Sequence, residues 1–159
     1  MENLELRMYG LVPYNISPIQ QGIQFGHAVV EYSRTCQDMK NHEEQYKNWA
    51  DNWKTFIILN GGTTNNKFNV YDELPFGSMN KHLLSLHNMG VRYATFCEPD
   101  LGDQLTAIVF IVDERIFNKT KYPDPQPFAT EEEQLLFMES IGGENNYKLR
   151  EFLKQFRLA

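Results

Sequence analysis

Leu4 to Val12 reads Leu-Glu-Leu-Arg-Met-Tyr-Gly-Leu-Val, alternating at first and apolar at its end, which suits a strand entering a buried sheet. Pro13 to Ile16 is the whole connection to a helix. Ser17 can act as its N-cap, Pro18 fits the first helical position, and Gln20 completes an S-x-x-Q capping box. A strand followed at once by a capped helix is the first half of a βαβ unit. Such a unit requires a second, parallel strand reached by a right-handed crossover, and it gathers ligand-facing groups at the first strand's carboxyl end.

Within the helix, spanning Ser17 to Arg34, one face carries Ile19, Gly22, Ile23, Gly26, Val29, Val30 and Ser33. Two glycines inside a helix each cost about 1 kcal/mol relative to alanine, a cost tolerable where the helix must lie very close to a sheet. This face is therefore expected to be the packed one, and Gly26→Leu to be costly through overpacking. The neighbouring stripe is polar: Gln20, Gln24, His27 and Glu31. It suits either a solvated surface or one wall of a cleft, and removing the Gln24 amide is expected to leave stability nearly unchanged.

Composition restricts the partners. A chain of 159 residues with 42% hydrophobic and 23% charged content is expected to be one globular domain with a real core. Net charge of −6 argues against broad, non-specific nucleic-acid binding, and the basic residues Arg7, Arg34, Lys40, Lys47 and Lys54 are scattered. No apolar run approaches the ~20 residues needed to span a bilayer, so no membrane association is expected, and no signal peptide is apparent. Two cysteines, Cys36 and Cys97, make neither a disulfide framework nor a metal cluster, which suits a reduced, cytoplasmic protein.

Further along, Thr35 to Asn52 reads as a second amphipathic helix, with Glu43, Glu44 and Lys47 on its outside and Tyr46 and Trp49 inside. Trp53 to Leu59 reads as a strand buried on both faces. An Asn-rich excursion over about 61–78, with isolated Phe68, Tyr71 and Phe76, is expected to lie outside the core. Met79 to Met89 is a helix stopped by Gly90; Val91 to Phe96 and Leu105 to Val112 are strands. Glu114 to Thr130 is a connection with Pro123, Pro125 and Pro127. Thr130 with Glu133 then opens a helix to Ile141, and Asn146 to Leu158 forms the last one. Both terminal helices carry apolar stripes expected to pack on the core or on a second copy of the chain, as a homodimer. The order β-α-α-β-α-β-β-α-α gives an α/β three-layer sandwich with a four-stranded mixed sheet and helices on both faces.

A second stretch with chemical potential is Glu98-Pro-Asp-Leu-Gly-Asp-Gln-Leu-Thr106, between the last two strands. Pro99 holds Glu98 extended, and Gly102-Asp103 permits a tight turn. Glu98, Asp100 and Asp103 are three carboxylates within six residues. Either they are a solvated turn, or Asp100 orients a histidine or a water beside it. Thr106 offers a hydroxyl to the same place.

Gln24-Phe-Gly-His27-Ala28 and Glu98-Pro-Asp100-Leu-Gly-Asp-Gln-Leu-Thr106-Ala107 together resemble the type 2 peptidyl-tRNA hydrolases, particularly the divergent homologues carried by bacteriophages. The resemblance covers roughly residues 4–113, a peptidyl-tRNA hydrolase-like core, and leaves 114–159 outside it. It implies a functional pair, His27 and Asp100, with the Thr106 hydroxyl close by. A glycine-lysine pair usual in the family is replaced by Ile19-Gln20. Candidate substrate-binding side chains are Gln20, Gln24, Glu31, Glu98 and Asp103.

The activity so implied is hydrolysis of the ester joining a peptide or N-blocked amino acid to the tRNA 3′ end, in the host cytoplasm for a phage protein. It needs no cofactor, and the spacing of His82 and His87 suggests no metal. The alternative is a non-catalytic binder whose cleft sequesters a nucleotide-like ligand or a host protein.

Overall fold

In the computed structural model, which describes residues 3–64 and 77–159, β1 (Leu6–Val12) lies between two neighbours. It pairs in parallel with β2 (Thr55–Asn60), from Arg7 opposite Thr55 to Val12 opposite Asn60. On its other side it pairs antiparallel with β4 (Gln104–Asp113), which pairs antiparallel with β3 (Ala94–Glu98). The sheet order is β2-β1-β4-β3, the mixed four-stranded sheet expected, with the parallel pair where the βαβ reading puts it. The excursion expected over 61–78 falls largely on residues 65–76, outside the described residues.

Strand alternation divides the core between two layers. Leu6, Met8, Val12, Val109 and Ile111 face α1 (Pro18–Thr35) and α2 (Lys40–Asn48), against Phe25, Ala28, Tyr32 and Trp49. Tyr9, Leu11, Ile108, Phe110 and Val112 face the opposite side. There they meet Leu83 and Leu86 of α3 (Gly77–Asn88), Ile116 of α4 (Glu114–Phe117), and Leu149 and Phe152 of α6 (Glu144–Leu153). Thus α6 belongs to the core of the sheet. The intervening α5 (Glu131–Ser140) starts with the Thr130–Glu133 capping box complete, but its Leu135 and Leu136 stay exposed. Within the chain its apolar stripe is only partly covered: Phe137, Met138 and the following Ile141 turn inward.

β2 is an edge strand rather than one buried on both faces, and Phe56 is 50% exposed. The chain's own C-terminus covers part of its free edge. Asn60 N–H donates to the Arg157 carbonyl at 2.8 Å, and Ala159 N–H to that of Ile58 at 2.9 Å. Paired backbone there removes donors and acceptors that could template aggregation.

The packed face of α1 also differs from expectation. Gln24, Phe25, Ala28 and Tyr32 are buried, whereas Ile19 (76% exposed), Gly22, Ile23, Gly26 and Val30 point outward. The close approach assigned to Gly22 and Gly26 belongs instead to Gly10 of β1. A Cβ there would sit 2.1 Å from the Phe25 ring, while one on Gly22 or Gly26 would meet nothing within 4 Å. Gly26→Ala is accordingly expected to stabilise the protein by about 0.5–1 kcal/mol through helix propensity alone. Gly10→Ala should lower the melting temperature, because Phe25 is locked in the core and cannot yield cheaply. Paired thermal melts check both signs.

Candidate functional site

Ser17 caps α1 as expected: its Oγ accepts from Gln20 N–H at 3.2 Å. The reciprocal half of the box is not made. Gln20 instead turns along the helix, and its Oε1 accepts from Gln24 Nε2 at 3.3 Å, one turn away.

At the other wall, β3 ends on Glu98, which Pro99 keeps extended (φ −82°, ψ 114°). The turn Pro99–Leu101 closes with Gly102 and Asp103 in the left-handed region, at φ 66° and 59°. Glycine adopts this region freely and aspartate tolerates it. Asp103 N–H donates to the Glu98 carbonyl at 2.9 Å, so the turn returns directly into β4.

A β-bulge then fixes Thr106. Phe96 pairs with Ala107, but Cys97 pairs with Leu105, so Thr106 is the extra, unpaired residue of β4. Leu105 keeps to the α3 side and Ala107 to the α1 side, and the extra residue frees the Thr106 hydroxyl to reach α1. It donates to Gln24 Oε1 at 2.7 Å. Gln24 Nε2 in turn donates to Glu98 Oε2 at 2.7 Å. Both Gln24 and Thr106 are sealed from solvent, at 1% and 0% exposure.

The chain of bonds orients every group in it. Glu98 Oε1 already accepts from Asp100 N–H at 3.1 Å, and an ionised carboxylate can only accept. Gln24 must therefore present its NH2 to Glu98 and its oxygen to Thr106. Its second N–H goes to Gln20, leaving the Gln20 NH2 available at the cleft. The Gln24 hydrogen bond, then the Asp100 N–H, and the nearby His27 hold the Glu98 carboxyl below the usual carboxylate range, against its partial burial.

These walls enclose an open cleft of about 590 Å³, lined by Asn15, Ser17, Gln20, His27, Glu98 and Asp100 with Ile16, Ile23 and Leu101 as apolar pads. His27 is exposed, its ring standing edge-on to Phe96 with centroids 4.4 Å apart. Thus His27, Asp100, Gln20 and Glu98 come together, while Gln24 and Thr106 lie beneath the floor. Among the described residues His27 makes no hydrogen bond to Asp100, and no lysine or arginine lines the cleft.

Glu31 lies one turn beyond His27, where it pairs with Arg34 at 3.2 Å instead of lining the cleft. Asp103 sits in the turn, also outside the lining. Gln24 is a correction: expected on a stripe that is either solvated or one wall of the cleft, and as a candidate substrate-binding residue, it is buried beneath the lining, so its loss should affect the fold as well as the cleft. Sequence reasoning also missed Asn15, whose amide ties the β1–α1 loop to Thr64 through bonds of 2.9 and 3.2 Å. Its place after a strand and before a capped helix is the signal that could have marked it. The sequence matches no protein-family model and no curated protein at a significant level.

Proposed function

We propose that this cleft hydrolyses the ester of peptidyl- or N-acyl-aminoacyl-tRNA without a metal. The observation that carries the reading is the exposed His27 imidazole standing in an open cleft with the fixed Glu98 carboxylate, Asp100 and an amide donor. His27 takes a proton from water as its oxygen attacks the acyl carbon. The Gln20 NH2 would stabilise the oxyanion. Collapse breaks the bond to the ribose oxygen, which recovers the proton from His27, releasing a carboxylic acid and the free tRNA end. Ile16, Ile23 and Leu101 supply apolar surface for the acyl group or the terminal base.

One observation favours a second reading, a non-catalytic binder of a nucleotide-like ligand or a protein segment: His27 and Asp100 share the cleft without a hydrogen bond. Purified protein against N-acetylated aminoacyl-tRNA separates the two. Release of the N-acetyl amino acid above the uncatalysed rate supports the enzyme. Release at that rate, with a nucleotide raising the melting temperature, supports the binder; a ligand at a hundred times its Kd stabilises by about 2.7 kcal/mol.

A further inference from the structure

Of the two carboxylates beside His27, only Glu98 is built into the fold. Its Oε2 is held at 2.7 Å by Gln24, a side chain 1% exposed, and its Oε1 at 3.1 Å by the Asp100 N–H. Gln24 is pinned from behind by Thr106 at 2.7 Å, and Thr106 reaches it only because β4 bulges there. A buried amide whose orientation is forced by the acceptor-only carboxylate, and matched by the Thr106 hydroxyl, fixes Glu98 more firmly than exposed Asp100 can fix itself. The polar chain ends on a carboxylate that lines the same cleft as His27.

Resting on the hydrolase reading of the same cleft, we infer that Glu98, rather than Asp100, is the carboxylate whose charge supports a protonated His27, and that Gln24 and Thr106 are the buried pair that holds it at the cleft. When His27 takes the proton of water it becomes a cation, and an ionised Glu98 in the same cleft stabilises that charge. The depression of the Glu98 carboxyl by Gln24 and by His27 agrees with this arrangement.

Two measurements test it, one independent of turnover. In the first, the Glu98 carboxyl is followed by 13C NMR titration in the wild type and in Gln24→Leu. Loss of the amide donor should move Glu98 upward toward an ordinary carboxylate. An unchanged titration would overturn the inference, even if the protein hydrolyses nothing. The second compares Glu98→Gln with Asp100→Asn. A glutamine at 98 can still offer an oxygen to Gln24, so melting should change little, whereas deacylation should fall by about 10²-fold. Asp100→Asn should fall far less. If Asp100→Asn loses as much as Glu98→Gln, the assignment to Glu98 is wrong. If the wild type itself is inactive, the hydrolase reading fails, and the titration alone decides whether Gln24 governs Glu98.

Discussion

Arg150→Ala is expected to cost about 2–5 kcal/mol of stability, the scale for truncating a large buried side chain, because its partner Asp124 is 36% exposed and keeps Lys154. Arg150 is 1% exposed on α6, in the layer behind the sheet. Its Nε donates to Asp124 Oδ1 at 3.0 Å, one terminal nitrogen donates to the Arg115 carbonyl at 3.1 Å, and the other reaches the Tyr122 carbonyl. One guanidinium thus ties α4 and the proline-rich connection to α6, and its carbon lies over the Phe137 ring, 5.2 Å from the centroid. Truncation would withdraw a buried donor from each of two carbonyls and leave a cavity beside Phe137. Arg150→Lys should recover only part of the loss, because an ammonium cannot span three acceptors in a fixed fork.

The pH dependence of that deficit has a definite sign. Burial would raise the Asp124 carboxyl, but Arg150 and Lys154 more than offset it and hold the group below its ordinary value. A depressed carboxyl contributes stability above its unfolded value near pH 3.9 and loses it as pH falls through the folded value. The gap in melting temperature between wild type and Arg150→Ala should therefore be constant at neutral pH and narrow below about pH 4. Thermal melts across that range check both magnitude and sign.

Arg150 also shows where sequence reading stops. The apolar stripe of its helix was legible, as were all four strands, the Ser17 and Thr130 caps and the parallel β1–β2 pair, because each is written in local patterning. Which stripe of α1 faces the sheet was not. Two stripes competed, and the buried one contains Gln24, whose polarity counted against it until Thr106 and Glu98 are seen to satisfy it. The edge position of β2 depends on strand order, which no local pattern encodes. For the cleft, the chemical residue types were legible: His27, Asp100, Gln20 and Glu98 do share it. Their division of labour was not, since the bulge that aims Thr106 arises from the pairing of β3 with β4 and leaves no mark in the sequence of either strand.

His27→Ala is the second large effect. The side chain is exposed, and its packing within the protein is the edge-on contact with Phe96, so its loss should change stability by less than about 1 kcal/mol. The proposed hydrolysis should nevertheless fall by about 10²–10⁴-fold, the contribution of a positioned general base. That combination, a stable fold with the chemistry removed, distinguishes a base from a structural histidine. It also differs from Gln24→Leu, where fold and cleft are disturbed together.

Single-turnover deacylation of N-acetyl-aminoacyl-tRNA at neutral pH, with wild type and His27→Ala side by side and their melting temperatures matched, measures this most directly. The expected result is release clearly above background by the wild type and near-background release by the variant. Equal rates from the two proteins would contradict the assignment of hydrolysis to this cleft.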